Sequence, residues 1–152
     1  MKHALLRMLF ILTWPLIFIY APLKVRSRIL VIKDGKYLGV KHYFGSNVWS
    51  LPGGGVHKGE TYKDAAIREL HEELAIHVAP HDVMPLLDAR TYNERGHFMR
   101  YVLFVVEVSK DMQVSKNHEI SEVRWLPVDA TGTANHVAQA VHQALSQGHL
   151  IK

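Results

Sequence analysis

The stretch RELHEEL, Arg68 to Leu74, places Glu69, Glu72 and Glu73 beside Arg68 within about two turns of any helix it forms. With Glu69 as zero and about 100° per residue, Glu73 falls at about 40° and Glu72 at about 300°, so the three share an arc of roughly 100°. On the same scale Leu70, Leu74 and Ile67 fall at about 100°, 140° and 160°, so an apolar side adjoins the acidic one. Like charges at this spacing cost only about a few tenths of a kcal/mol, which leaves a solvated acidic face as one reading. The other is a divalent-metal site. Mg2+ takes hard oxygen ligands and binds through a few carboxylates together with substrate phosphates, and Mn2+ suits the same donors. Two neighbours favour the metal: the run Gly53, Gly54, Gly55 just upstream, and Arg68 within the cluster.

These groups need elements to hold them. Thr61 to Leu74 has helical character, with Ala65, Ala66, Ile67, Leu70 and Leu74 as its apolar set. Upstream, Ile29 to Ile32, the turn signal Asp34-Gly35 and Tyr37 to Phe44 predict a β-hairpin, and Val48 to Leu51 a short strand leading into Pro52 and the glycines. Downstream, Leu86 to Arg90 reads as a short strand after Pro85, and His97 to Val108 as a long one rich in aromatic and β-branched residues. EISEVRWLPV follows a polar loop, and Ala134 to Ser146 predicts a closing helix with Val137, Val141 and Leu145 four apart. Strands and helices mix without regular βαβ alternation. The expected class is therefore α/β or α+β around a mixed sheet.

The 152 residues suffice for one domain with its own core, and 48% hydrophobic with 21% charged residues is a globular composition. No cysteine is present, which excludes disulfides and thiolate metal sites and fits a reducing, cytoplasmic compartment. Of the 18 basic residues, five (Lys2, Arg7, Lys24, Arg26, Arg28) lie in the first 28 positions, which contain none of the 14 acids. The other 13 basic residues face 14 acids, net −1, so a nucleic-acid-binding face on the domain is not expected. Residues 1–26 form a separate apolar, basic-flanked segment, uncharged from Met8 to Leu23, and residues 27–152 the domain. That uncharged run is short of the roughly 20 residues a bilayer span needs, and Pro15 would kink it. Association with a membrane surface and a helix docked on the domain are both open, and an exposed apolar terminus could equally build a homodimer. A cleaved signal is disfavoured because no A-x-A-like site follows.

Gly54 to Ile76, GGVHKGETYKDAAIRELHEELAI, resembles the signature box of the Nudix hydrolase superfamily, in its MutT-like form. Gly54, Glu60, Arg68, Glu69, Leu70, Glu72, Glu73 and Ile76 all match the pattern. Ala75 departs from it, standing where the family has glycine. A left-handed residue is often needed there to stop the helix, so the helix terminus is the feature in question; no ligand is lost. The resemblance implies an α/β/α sandwich with a mixed sheet, the box helix on one face and the C-terminal helix on the other. It implies Mg2+ or Mn2+ held by Glu69, Glu72 and Glu73, with Arg68 orienting the cluster by pairing with Glu60. Gly53, Gly54 and Gly55 would let the backbone approach the site. It also implies hydrolysis of a diphosphate bond in a nucleoside diphosphate linked to another group.

Several family members take a general base from a later loop, and the Glu-x5-Trp spacing of Glu119 and Trp125 resembles that of the MutT-like branch, which makes Glu119 the first choice, with Glu72 the alternative. Lys41 and Arg100, in predicted strands, are candidates for contact with phosphate, against the reading that each is a surface charge. Tyr43 and Trp49 are either stacking partners for a base or packing residues. The competing function is a non-catalytic nucleotide-binding or sensor module on the same fold; three crowded carboxylates argue against it. GVHKGET lacks the Gly-Lys-Ser/Thr of a Walker loop, no Gly-x-Ser-x-Gly elbow occurs, and Pro80 between His77 and His81 opposes a helical zinc pair.

Overall fold

A computed structural model describes residues 25–43, 47–94 and 97–150. Of the expected N-terminal segment, only Val25 and Arg26 fall among them, and both belong to the first strand. Among the described residues no helix is long and apolar enough to cross a membrane.

The hairpin forms as β1 (Val25–Lys33) and β2 (Lys36–His42), turning at Asp34 and Gly35, both at positive φ. β3 (Gly53–Gly55) is the glycine run itself, α1 (Tyr62–Leu74) the carboxylate helix, and β4 (Met84–Glu94) and β5 (His97–Glu107) a second hairpin. β6 (Ile120–Leu126) and α2 (Asn135–Ser146) complete the chain. The sheet runs β4-β5-β1-β2-β6, with β3 also on β1; β1 and β5 are parallel and the other pairs antiparallel. The mixed sheet is thus observed. β4 is longer than expected, because an edge strand tolerates Pro85 where bulges interrupt its pairing. The strand expected at Val48 to Leu51 is reduced to single bridges, Val40 to Ser50 and Trp49 to Thr133.

Side chains alternate across β1. Ile29 and Val31 join Leu70, Leu74 and Val102 under α1, while Leu30 and Ile32 join Leu103, Val137 and Val141 under α2. Each helix therefore covers one face. One edge of β1 is shared, with β3 pairing at Arg26 to Arg28 and β2 only at Ile32 and Lys33. The sheet splits between them, at the end where the carboxylates lie.

Local chemistry sets both ends of α1. Thr61 Oγ1 accepts from the Asp64 backbone N–H at 3.1 Å, a side-chain N-cap, and Asp64 adds negative charge to the first turn. At the other end Ala75 adopts φ 55° and ψ 26°, and its N–H donates to His71 O at 2.8 Å. The helix terminates in the left-handed conformation although alanine replaces glycine. Ala75 is exposed, so its methyl contributes no core packing. Ala75→Gly should therefore stabilise the fold by about 1 kcal/mol, read as a higher midpoint of denaturant unfolding at unchanged slope. An unchanged or lower midpoint would show that the left-handed cap carries no strain.

Candidate active site

Arg68 organises the acidic side of α1. Its Nε and Nη2 donate to the two oxygens of Glu60 at 2.8 and 3.1 Å, a bidentate pair. Its Nη1 donates to Glu69 Oε1 at 2.9 Å and Glu72 Oε2 at 3.0 Å, and Nη2 also reaches Gly55 O at 2.9 Å. Glu60 further accepts the His57 backbone N–H at 2.9 Å, and the Arg68 and His57 bonds push its pKa down to about 2. Arg68 is held well above the ordinary arginine value by Glu60, with Glu69 adding to it. The expected pairing of Arg68 with Glu60 is present, and it ties the loop preceding α1 to the helix.

Glu73 sits apart from that network. Only 3% exposed, it accepts the Gly53 N–H through Oε2 at 2.9 Å. Burial pushes its pKa up to about 7, with repulsion from Glu69 and Glu119 adding to the rise and Arg28 and the Gly53 N–H opposing it. His42 Nδ1 lies 3.9 Å from Glu73 Oε1, but burial, then Arg28 and Arg26, push the imidazole down to about 4. The ring is neutral at physiological pH, so the contact is not an ion pair. The two groups act oppositely on stability. Glu73 binds its proton more tightly when folded, so its contribution falls as pH rises from about 4.5 to about 7. His42 binds its proton less tightly when folded, so its contribution grows from about pH 4 to about 6.5. They offset each other across most of the shared window.

Within the glycine run of β3, Gly53 and Gly54 are the constrained ones. Gly53 has φ 129°, and a Cβ there would lie 2.9 Å from Arg28 Cα and closer still to Ser27 O. At Gly54 a Cβ would lie 2.5 to 2.7 Å from the Glu69 carboxylate, whereas at Gly55 it would meet nothing within 4 Å. Gly53 is thus pressed against the backbone of β1, and Gly54 against the Glu69 carboxylate.

The outlying residues differ. Glu119 is exposed; its O accepts from the Tyr43 N–H at 3.0 Å, and its charge is among those that raise Glu73. Its loop reaches the end of α1, where Asn117 N donates to Glu73 O at 2.8 Å. Lys41 pairs with Glu122 at 3.1 Å and lies 4.5 Å over the Trp49 ring. Trp49 is 9% exposed and packs in the core, whereas Tyr43 is 60% exposed. Arg100 is exposed on β5 beside Val25, and no contact among the described residues ties it to the carboxylates.

In the sequence Arg26 and Arg28 read only as part of a basic flank, and His42 carries no signal of its own. Arg28 is 6% exposed; its Nη1 donates to Leu51 O at 2.9 Å and to Gly53 O, bracing the backbone that holds Glu73. The available signal was two arginines alternating in RSRILVI, cations inside an otherwise core-forming strand.

The donor set suits a hard divalent cation. Among the described residues Glu69 Oε2, Glu72 Oε1 and Glu73 Oε1 each lack a hydrogen bond, so every one of these carboxylates keeps an oxygen to give. As the side chains stand, no three or more Asp, Glu or His among the described residues are gathered closely enough to hold a metal ion.

Comparison with known proteins gives a consistent picture. The family model described as NUDIX domain matches residues 22–145. An RNA pyrophosphohydrolase from Roseobacter denitrificans is 34% identical over 97 residues, 52% of this chain and 59% of that protein, so less than two thirds of its length is spanned. The nucleoside triphosphatase NudI of Escherichia coli is 29% identical over 108 residues, 64% of this chain and 77% of that one. Among solved structures, the E. coli dihydroneopterin triphosphate pyrophosphohydrolase superposes with a TM-score of 0.70 at 20% identity, covering 81% of this chain and 95% of that chain, a likeness of fold.

Proposed function

The chain belongs to the NUDIX domain family, and from that premise we propose that it hydrolyses a diphosphate bond in a nucleoside-diphosphate-type substrate with Mg2+ or Mn2+. One observation carries the reading. A single guanidinium, Arg68, gathers Glu60, Glu69 and Glu72 beside a buried Glu73, with three carboxylate oxygens left uncommitted. The names of both curated relatives denote cleavage of a phosphoanhydride.

Glu69, Glu72 and Glu73 would hold the metal, whose chemistry there is to neutralise phosphate oxygens and lower the pKa of water. Arg68 fixes the rotamers of Glu69 and Glu72, and its bond to Gly55 O locks the glycine loop to the helix. Gly54 leaves room for the Glu69 carboxylate, and Arg28 braces Leu51 and Gly53. Glu119 takes the proton from the attacking water as the oxygen bonds to phosphorus and the anhydride P–O bond breaks, the displaced phosphate leaving with the electron pair. Glu72, 53% exposed at its side chain but already bonded to Arg68, is the alternative base.

The experiment is product release from nucleoside triphosphates, dinucleoside polyphosphates, ADP-ribose, nucleotide sugars and an RNA with a 5′-triphosphate, with Mg2+ or Mn2+ and with EDTA. Turnover of at least one substrate that EDTA abolishes is expected. Silence with both metals would favour a binding module. The net charge of −1 outside the first 28 residues places free nucleotides ahead of RNA.

The raised pKa of Glu73, about 7, has a measurable consequence for this reading. A metal must displace that proton, so apparent affinity should weaken about tenfold per pH unit below 7 and level off above it. Titration calorimetry at pH 6 in two buffers of different ionisation enthalpy should register about one proton released. An affinity constant from pH 6 to 8 would show that metal binding displaces no proton from Glu73.

A further inference from the structure

β1 sends two arginines to the same side of the sheet, Arg26 and Arg28, two residues apart. They lie opposite Gly55 and Gly53 of β3, and Arg26 also lies beside Tyr101 of β5. Arg28 is committed: it donates to Leu51 O and Gly53 O and lies 5.8 Å from the Tyr101 ring centre, although its Nε is buried and unbonded. Arg26 is different. Half-buried, it has no hydrogen bond or ion pair among the described residues, while Lys41, Arg68, Lys110 and Arg124 all pair with carboxylates. Burial and then the charge of Arg28 lower its pKa, and the nearby Tyr101 and Glu69 only partly oppose them. Glu69 is already bonded to Arg68. A partly desolvated cation beside a like charge is unfavourable unless an anion completes it. Among the described residues its anion-binding fork is therefore spare, at the edge of the carboxylate site.

We propose that Arg26 binds a phosphate of the substrate, one neighbouring the bond that breaks. A guanidinium matches two phosphate oxygens at once, which a lysine at the same position does not. This rests on the phosphoanhydride reading above and adds a recognition residue outside the signature box. Arg26 touches the phosphate chain and not the attacking water, so it governs substrate binding more than the chemical step.

Inorganic pyrophosphate is the probe, titrated into the full chain in EDTA and followed by calorimetry. Lys110→Gln serves as a control for net charge, since Lys110 pairs with Asp34 at the far end of the hairpin. Arg26→Gln should weaken pyrophosphate binding about tenfold or more, Arg26→Lys should restore part of it, and Lys110→Gln should leave it unchanged. With a hydrolysed substrate, Arg26→Gln should raise KM by a similar factor and change kcat by less than about threefold. Equal binding by wild type and Arg26→Gln, equal weakening by Arg26→Gln and Lys110→Gln, or no binding by the folded wild type would each overturn the assignment. If Arg26→Gln fails to fold, the Arg26→Lys to wild-type comparison decides, because a point charge without the fork should bind measurably less. The two readings separate: a hydrolase whose KM ignores Arg26 contradicts only the phosphate site, whereas Arg26-dependent pyrophosphate binding in a protein that hydrolyses nothing contradicts only the enzyme.

Discussion

Glu72→Gln is expected to lower kcat by on the order of a thousandfold, about 4 kcal/mol in the barrier, with the melting temperature almost unchanged. The side chain of Glu72 is 53% exposed, so amide for carboxylate disturbs no core contact. Its partner among the described residues, Arg68, keeps Glu60, Glu69 and Gly55 O. What the change removes is a negative oxygen from the proposed ligand set, an interaction that matters to the charged transition state far more than to the fold. Steady-state kinetics together with thermal unfolding would test both halves. A variant with full activity would remove Glu72 from the site, and one that unfolds would make its role structural.

Gly53→Ala should do the reverse, destabilising the protein by about 3 kcal/mol or more whatever its substrate. Two effects add. At φ 129° an alanine backbone is strained, and its Cβ would press on Ser27 O and Arg28 Cα, which are backbone atoms of a central strand and cannot rotate away. Gly53 also supplies the N–H bound by Glu73 and the carbonyl bound by Arg28. Gly54→Ala makes a useful contrast: its Cβ would meet only the end of the Glu69 side chain, which can turn aside. That variant should stay folded and lose activity. Urea titrations of the two would distinguish them, and equal stability of Gly53→Ala and wild type would contradict the packing described for β3.

Much of this was legible in the sequence because it is local. Carboxylates at positions i, i+3 and i+4 share a helix face wherever that helix packs, so Glu69, Glu72, Glu73 and Arg68 could be grouped from their spacing alone. Asp34-Gly35 and Thr61 likewise act through their immediate neighbours. What escaped depends on pairing between distant segments. Arg26 and Arg28 looked like a basic flank because nothing near them in sequence shows that β3 would lie alongside. His42 reaches Glu73 only because β1 leaves β2 and accepts β3 on the same edge. The full length of β4 was hidden by Pro85, since an edge position and its bulges are properties of the assembled sheet. At Ala75 the sequence left two outcomes open, and the fold took the strained one.

The most direct test of the proposed carboxylate metal site is Mn2+ binding by the wild type and Glu72→Gln at pH 7.5, followed by loss of the free-ion electron paramagnetic resonance signal. Saturable binding by the wild type, weakened at least about tenfold by the single substitution and competed by Mg2+, is the expected result. An unaltered free Mn2+ signal, or equal binding by both proteins, would contradict a metal site built on these carboxylates.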